Sequence, residues 1–428
     1  MTEQLDNDVI EHLAIGLGPA NLSLAALAAS HQDLSIQFIE KKPRFEWHEG
    51  ALLAESSLQS SFLRDLVTLV DPTHRFSFLS YLHQNKRMYQ FMAADFAHVP
   101  RAEFNRYYQW VARQLNNVSY GEWVNEIHFN DKYYSIHTSK RIIKAKHLIL
   151  GTGTIPYYPE HSILDINENV FHGMSYKSKD KTIFNNKNVV IVGSNQSSAE
   201  IFQDLLQQEQ NIPASIQWIA NDILQSSGDL SPFQTELFTP AYSEFVQSLT
   251  AAQADTLFKH QSKLRDGVST STLKQIYQRL HQHTLSQEHR TLPSVLINNS
   301  VTSQREIGEQ IELTVTNQAT GEERKCNTDI VIYCTGLEHK LPEFLNPIKS
   351  LLTIGESRIK TDEHHQAITA INSDNRLYVQ NGSAASFGVA NQHLALGAYN
   401  GATIINHLLG YKAYELESEP TMSQWQLT

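Results

Sequence analysis

The apolar residues fall into a repeated pattern: a short buried-type run, a glycine turn, then a run of helical composition. His12-Leu13-Ala14-Ile15 leads into Gly16-Leu17-Gly18-Pro19-Ala20-Asn21, and Asn21 through Ala29 is rich in Leu and Ala. Ser35-Ile36-Gln37-Phe38-Ile39-Glu40 then alternates as a strand that ends on an acid. Val189-Val190-Ile191-Val192 repeats the device with Gly193-Ser194-Asn195-Gln196-Ser197-Ser198. Two further strands, His147 to Leu150 and Asp329 to Cys334, run into the small-residue turns Gly151-Thr152-Gly153 and Thr335-Gly336. Thr250 to Leu264 and Thr270 to His283 read as helices, the second with Leu273, Ile276, Tyr277 and Leu280 along one core-facing stripe. Asp229-Leu230-Ser231-Pro232-Phe233 reads as a loop, and Ile311 to Val315 with Lys325-Cys326 reads as a hairpin.

A strand that turns through glycine into a helix aims backbone N–H groups and the positive helix end at a phosphate. Two such turns predict two dinucleotides, and the simplest chemistry that needs both is hydride transfer from a nicotinamide to a flavin. Gly16, Gly18 and Asn21 belong to the first turn, and Gly193, Asn195, Gln196 and Ser197 to the second. Glu40 lies where an acid accepts ribose hydroxyls. Because the second turn opens its own unit between the two late strands, the second nucleotide unit reads as inserted into the first.

The chain has 428 residues, enough for two or three domains. Its 45 acidic and 34 basic residues leave a net charge of -11, which disfavours nucleic acid and anionic membranes as partners. The polar start and the lack of a long apolar run predict a cytoplasmic protein with no secretory signal and no membrane span. Cys326 and Cys334 match no redox or zinc spacing and read as structural thiols. His281, His283, His364 and His365 lack metal-site context, so surface positions and no metal are expected. Gly-x-Ser-x-Gly and Walker A motifs are absent, which removes elbow-serine hydrolases and P-loop ATPases.

Gly16 through Ser23, Phe45-Glu46-Trp47-His48-Glu49-Gly50, Leu58 through Leu66, Asp71-Pro72-Thr73, Phe76 through Leu82, Phe238-Thr239-Pro240 and Thr335-Gly336 follow in a telling order. With them the chain resembles the flavin-dependent N-hydroxylating monooxygenases of siderophore biosynthesis, the lysine and ornithine N-hydroxylases, over nearly its whole length. The resemblance implies an α/β fold with two Rossmann-like dinucleotide-binding domains, for FAD and NAD(P)H, and a small, mostly helical substrate region. The divisions implied are residues 1–170 and 336–428 for FAD, 171–220 and 291–335 for NAD(P)H, and 221–290 for substrate. Trp47, His48 and Gln59 would lie near the isoalloxazine, and Thr335 and Gly336 beside a cofactor. The implied reaction uses FAD, NADPH, with NADH as an alternative, and O2 to hydroxylate a small primary amine through a C4a-hydroperoxyflavin. A homo-oligomer is expected.

Three departures bear on the substrate. Arg64 stands where the family's amino-acid hydroxylases place a Lys against the substrate carboxylate, Thr235 replaces an Asn of the ornithine enzymes, and Phe387-Gly388 replaces His-Gly. With Gln59, Arg64 and Thr235 as the catalytic-site candidates, these changes favour a decarboxylated amine such as histamine, putrescine or cadaverine. The alternative is lysine N6- or ornithine N5-hydroxylation. Ala220-Asn221-Asp222 follows the next strand of the second unit where the family often has Arg for the 2′-phosphate, which predicts relaxed coenzyme choice. Asn195 in the second turn is expected to tolerate positive φ in place of glycine.

Overall fold

The computed structural model describes the chain apart from residues 1–7, 97, 223, 225–230, 251, 255, 258–260, 262–266, 286–292, 356–357, 382–386, 389–392, 418 and 427–428. Strand β1 (Val9–Ile15) pairs in parallel with β2 (Ile36–Glu40) and β6 (Ile142–Leu150), and β2 with β3 (Val118–Tyr120). The hairpin β4 (Val124–Phe129) and β5 (Tyr134–Thr138) adds antiparallel to β6. This gives a seven-stranded sheet in the order β3-β2-β1-β6-β5-β4, closed by a late strand on β6.

Helix α1 (Pro19–Ala28) is buried at every position from Ala20 to Ala28. Its Leu and Ala content suits that position, because the helix Gly397–Leu409 packs beside it with Gly401 against the Leu24 backbone. Helices α2 (Phe78–Gln84), α3 (Met88–Ala94) and α4 (Arg101–Ala112) follow. Phe78 meets Phe91, Phe104 and Tyr107 with ring centroids 5.3 to 5.4 Å apart, so aromatic packing joins the three.

The short ribbon strand β7 (Ile155–Pro156) leaves this unit. Strands β8 (Val170–His172), β9 (Asn188–Val192), β10 (Ser215–Ala220), β11 (Ser294–Ile297) and β15 (Ile330–Tyr333) form a parallel sheet in the order β11-β10-β9-β15-β8. Helix α5 (Gln196–Leu206) follows β9, and its apolar side packs with Trp218 and Phe202 in one core. The expected hairpin is two strands of a three-stranded meander, β12 (Asn299–Ile307), β13 (Gln310–Asn317) and β14 (Glu323–Thr328). Alternating Ser, Thr and Gln hide β12 as a polar strand. The chain returns through β16 (Leu337–Glu338), paired antiparallel with β7, and the small pair β17 (Ile354–Gly355) and β18 (Arg358–Ile359). Strand β19 (Leu377–Val379) then joins β6 in parallel.

Between β10 and β11 lie α6 (Pro232–Thr235), α7 (Pro240–Gln247) and the helix Thr270–Leu285. Ser231 and Gln234 form a capping box, so Ser231 and Pro232 start a short helix where a loop was expected; Asp229 and Leu230 lie outside the described residues. The expected helix from Thr250 to Leu264 falls partly outside the described residues as well. The C-terminal segment clips this region: Glu236 accepts from the N–H groups of Met422 and Ser423, and Trp425 packs on Tyr242 and Phe245.

The expectation of surface histidines fails at His365. Its ring is 1% exposed and stacks on Phe387 at 4.2 Å and 17°, while His364 stacks on His407 instead. Burial pulls the His147, His172 and His365 rings down to about 4. An unfolded histidine takes its proton near pH ~6.5, so these rings favour the folded state above that pH, and the advantage fades as pH falls toward 4. Each ring is expected to withdraw about 2 kcal/mol between about pH 7.5 and pH 5. Urea midpoints across that range test this, and an unchanged midpoint contradicts it.

Candidate active site

The first glycine turn is held from within. Gly16 has φ +87°, and a Cβ there would lie 2.6 Å from the Gly151 carbonyl oxygen, so this glycine serves the fold. Gly18 has extended backbone, and a Cβ there meets no atom within 4 Å. The space above Gly18 is therefore open, as close approach of a pyrophosphate requires. Asn21 is fully buried and turned inward: its amide donates to the Gly16 carbonyl at 2.7 Å and accepts from Gln380 at 2.9 Å. What it can offer a dinucleotide is its N–H in the first turn of α1, where Pro19 already lacks one. The Glu40 carboxylate accepts from the N–H groups of Leu17 at 2.6 Å and Lys42 at 2.9 Å, bracing the turn from the end of β2.

Trp47 packs edge-on against Tyr108 and beside His48. His48 adopts φ 47°, and burial, with the charges of Arg101 and Lys42, lowers its ring to about 4, keeping the imidazole neutral. Gln59 donates weakly to Ser57 at 3.5 Å, while its buried Oε1 accepts from no described residue. Such an acceptor costs free energy until a ligand satisfies it. Arg64 is half-buried, makes no ion pair with a described residue, and is lowered by desolvation. Thr235 closes α6 with its hydroxyl donating to the Ser231 carbonyl at 3.2 Å.

The second turn differs from expectation at Asn195, whose φ is -110°. The positive φ falls on Gly193 at +143°, where a Cβ would collide with the Cys334 carbonyl. Asn195 instead caps α5, accepting from Ser198 N–H while its amide donates to the Cys334 carbonyl. The Gln196 side chain is spent on Glu200, Thr272 and Ser269, leaving its backbone and half-buried Ser197 at the helix N-terminus. Gly193, Ser194 and Asn195 line a cavity of about 430 Å³ with Tyr157, His161, Asp222, Thr335 and Gly336. Thr335 and Gly336 thus border the cavity at the second glycine turn.

Several residues that the sequence did not single out join the two units. Arg101 donates to the Ser57 carbonyl and lies 3.4 Å from Glu200 on α5, and Glu55 accepts from Gln203 of the same helix and from Gln207 just past its end. Burial raises the Glu200 carboxyl, with Arg101 opposing. Gly50 fits against the Met174 backbone because it has no side chain. Asp65, next to Arg64, accepts from Val67, Thr68 and Phe78 N–H and so anchors the segment carrying Gln59 and Arg64 to α2. No sequence spacing signals pairs such as Arg101 with Glu200.

No Lys or Arg is among the described residues that line the second cavity, and Asp222 sits at the end of β10. Lys179 is engaged by the Glu168 carbonyl and the Phe171 ring. NADH is therefore expected to reduce the flavin within roughly tenfold of NADPH, a gap of about 1.4 kcal/mol. Stopped-flow reduction at equal subsaturating coenzyme tests this, and a preference for NADPH above about a hundredfold contradicts it.

Two facing dinucleotide units joined by a polar seam define a flavoprotein that couples a nicotinamide coenzyme to a flavin. Residues 8–339 match the family model of L-lysine 6-monooxygenase/L-ornithine 5-monooxygenase, and the chain belongs to that family. It is 30% identical to a putrescine N-hydroxylase of Shewanella oneidensis over 97% of this chain and 84% of that one. It is 29% identical to an L-lysine N6-monooxygenase of Escherichia coli over 97% of this chain and 98% of that one. Among solved structures, the FAD-bound cadaverine monooxygenase of desferrioxamine biosynthesis from Erwinia amylovora superposes with a TM-score of 0.91 at 25% identity, covering 98% of this chain and 99% of that one. Among the described residues, no helix is long and apolar enough to cross a membrane.

Proposed function

We propose that this chain is an FAD-dependent N-hydroxylase of a free primary amine in siderophore biosynthesis: R–NH2 + O2 + NAD(P)H + H+ gives R–NHOH + H2O + NAD(P)+. Bound FAD supplies hydride acceptance and O2 activation. Gly18 and the first N–H groups of α1 hold its pyrophosphate, and Glu40 its ribose. The N–H groups that open α5, with Ser197, hold the coenzyme phosphates in the cavity bordered by Thr335 and Gly336. Trp47, His48 and Gln59 border the flavin ring, and the Gln59 Oε1 takes a hydrogen bond from ligand. An alkylamine near its ordinary pKa of ~10.4 is protonated at neutral pH, so the site must receive that proton before the nitrogen can attack oxygen.

The observation that carries the free-amine reading is Thr235: its hydroxyl donates to the Ser231 carbonyl, so in this arrangement it offers no donor to a substrate carboxylate. Putrescine and cadaverine are the amines named for two of the similar proteins. Arg64 carries the second reading, since a half-buried guanidinium without a described partner suits the carboxylate of lysine or ornithine. Within the free amines, histamine alone brings no second alkylammonium to Arg64. The same reading divides the chain at 220/221, 290/291 and 335/336 and places it in the cytoplasm as a homo-oligomer without a nucleic-acid partner; the first division, expected at 170/171, moves ahead of β8, because Val170 already pairs with Val331 of the second sheet. Hydroxylamine formation across lysine, ornithine, putrescine, cadaverine and histamine tests it; NAD(P)H loss alone would include uncoupled peroxide release.

A further inference from the structure

Strand β4 ends the seven-stranded sheet on one side, and β5 joins it to β6. Ile127, Tyr134 and Ile136 point into the core that holds Leu345 and Ile348. The other face of the hairpin carries Glu126, His128 and His137. Glu126 lies next to a register shift and directly across from His137, and His128 lies two residues along the same face. His128 Nε2 is 3.3 Å and His137 Nδ1 3.2 Å from the same carboxylate oxygen of Glu126, and the three donor atoms lie within 4.8 Å of one another.

A tetrahedral cation bound at about 2.0–2.1 Å by imidazole nitrogen and carboxylate oxygen needs donor atoms roughly 3.3 Å apart. Two edges of the triangle already have that length. The third closes by side-chain rotation, which is open to groups with side-chain exposures of 47%, 45% and 36%. Two imidazoles and one carboxylate suit late first-row metals rather than Ca2+ or Mg2+, which prefer all-oxygen shells.

A second cluster, Glu11, His12 and His147, is equally compact and serves as a contrast. There Lys146 already occupies Glu11 at 3.0 Å. His147 Nδ1 accepts from Arg376 N–H, which puts the neutral ring's proton on Nε2, the nitrogen facing Glu11. That cluster has supplied its own cation and offers no lone pair at the required nitrogen.

We propose that Glu126, His128 and His137 form a divalent transition-metal site, of which Zn2+ is the representative ion, on the outer face of the β4–β5 hairpin. Water fills the fourth position. The residues are apart from both glycine turns, so the ion takes no part in the hydroxylation. Bound there, it cross-links the two strands at the sheet's unpaired edge, where a strand is otherwise open to pairing with another chain.

The test is calorimetric titration of Zn2+ into chelator-treated, FAD-loaded protein, comparing wild type with the double variant His128→Ala/His137→Ala and with Glu126→Gln. Wild type is expected to bind one more equivalent than the double variant, and Glu126→Gln to weaken that equivalent about tenfold or more. Substituting Co2+ should give the intense visible bands of a four-coordinate ion in wild type alone. Hydrogen exchange in residues 124–138 should slow with Zn2+ only in wild type. Equal FAD content and far-UV spectra show that the variants are folded, which their exposed positions favour. Equal Zn2+ stoichiometry and affinity in wild type and the double variant would overturn the proposal, as would the absence of wild-type binding at about 100 µM, near 5 kcal/mol.

Discussion

Gly18→Val is expected to give a folded protein that purifies without its yellow colour. Valine is at home in extended backbone, and the Cβ of residue 18 meets nothing in the chain, so the fold has no reason to object. The branched side chain would fill the space that the FAD pyrophosphate needs, and affinity for FAD should fall by more than about a hundredfold, near 3 kcal/mol. Gly16→Val is the informative contrast. There the positive φ and the Gly151 carbonyl both oppose a side chain, so instability should appear along with flavin loss. Flavin content by absorbance and melting temperature of the apoprotein separate the two effects. Wild-type flavin content and activity in Gly18→Val would remove this glycine from the cofactor site.

The second large effect concerns substrate choice. With the Thr235 hydroxyl bound to its own helix, an amino-acid carboxylate would enter with Arg64 as its single matched partner. Poorly paired charge in a closed site is costly, so kcat/KM for the best decarboxylated amine should exceed that for lysine and ornithine by about a hundredfold or more. Histamine is expected ahead of putrescine and cadaverine, because like charge at Arg64 opposes their second ammonium. Arg64→Ala sharpens the comparison. If Arg64 binds a carboxylate, its loss raises KM for lysine or ornithine far more than for any free amine. Coupled hydroxylation of an amino acid at higher kcat/KM than every free amine would establish the amino-acid hydroxylase instead.

The parts of the fold built from neighbours in sequence were legible there. The β1 turn into α1, Glu40 at the end of β2, the β9 turn and the stripe of Leu273, Ile276 and Leu280 on Thr270–Leu285 all show local periodicity joined to local turn chemistry, whereas Tyr277, expected on that stripe, lies exposed to solvent. The capping box Ser231-x-x-Gln234 was also readable, but Pro232 and the flanking polar residues gave the stretch a loop-like character. Strand β19 has three residues and is defined by pairing with Leu148, Ile149 and Leu150, more than two hundred positions earlier, so no local pattern marks it. His365 looks like a solvated loop residue until Phe387 arrives to stack on it. The glycine-turn residues of the candidate site were nominated by type and spacing, and Trp47, His48, Gln59, Arg64 and Thr235 by resemblance. Their division of labour was not, because whether Asn21 or Gln196 faces a ligand or a neighbour depends on side chains 76 to 359 positions away.

The ribbon between β7 and β16 also governs how the two units can move. A unit joined by one strand can swivel in any direction about it. Here the outgoing and returning strands are paired through Leu337 with Pro156 and Glu338 with Ile155, and the Tyr157 N–H donates to the Gly336 carbonyl beside them. Two linked crossings resist twisting, which would break the pairing, and the contacts of Arg101 with Glu200 and Glu55 with Gln203 tie the units a second time. Thr335 and Gly336 sit beside this ribbon, so one border of the cavity at the second glycine turn is fixed to the double crossing itself.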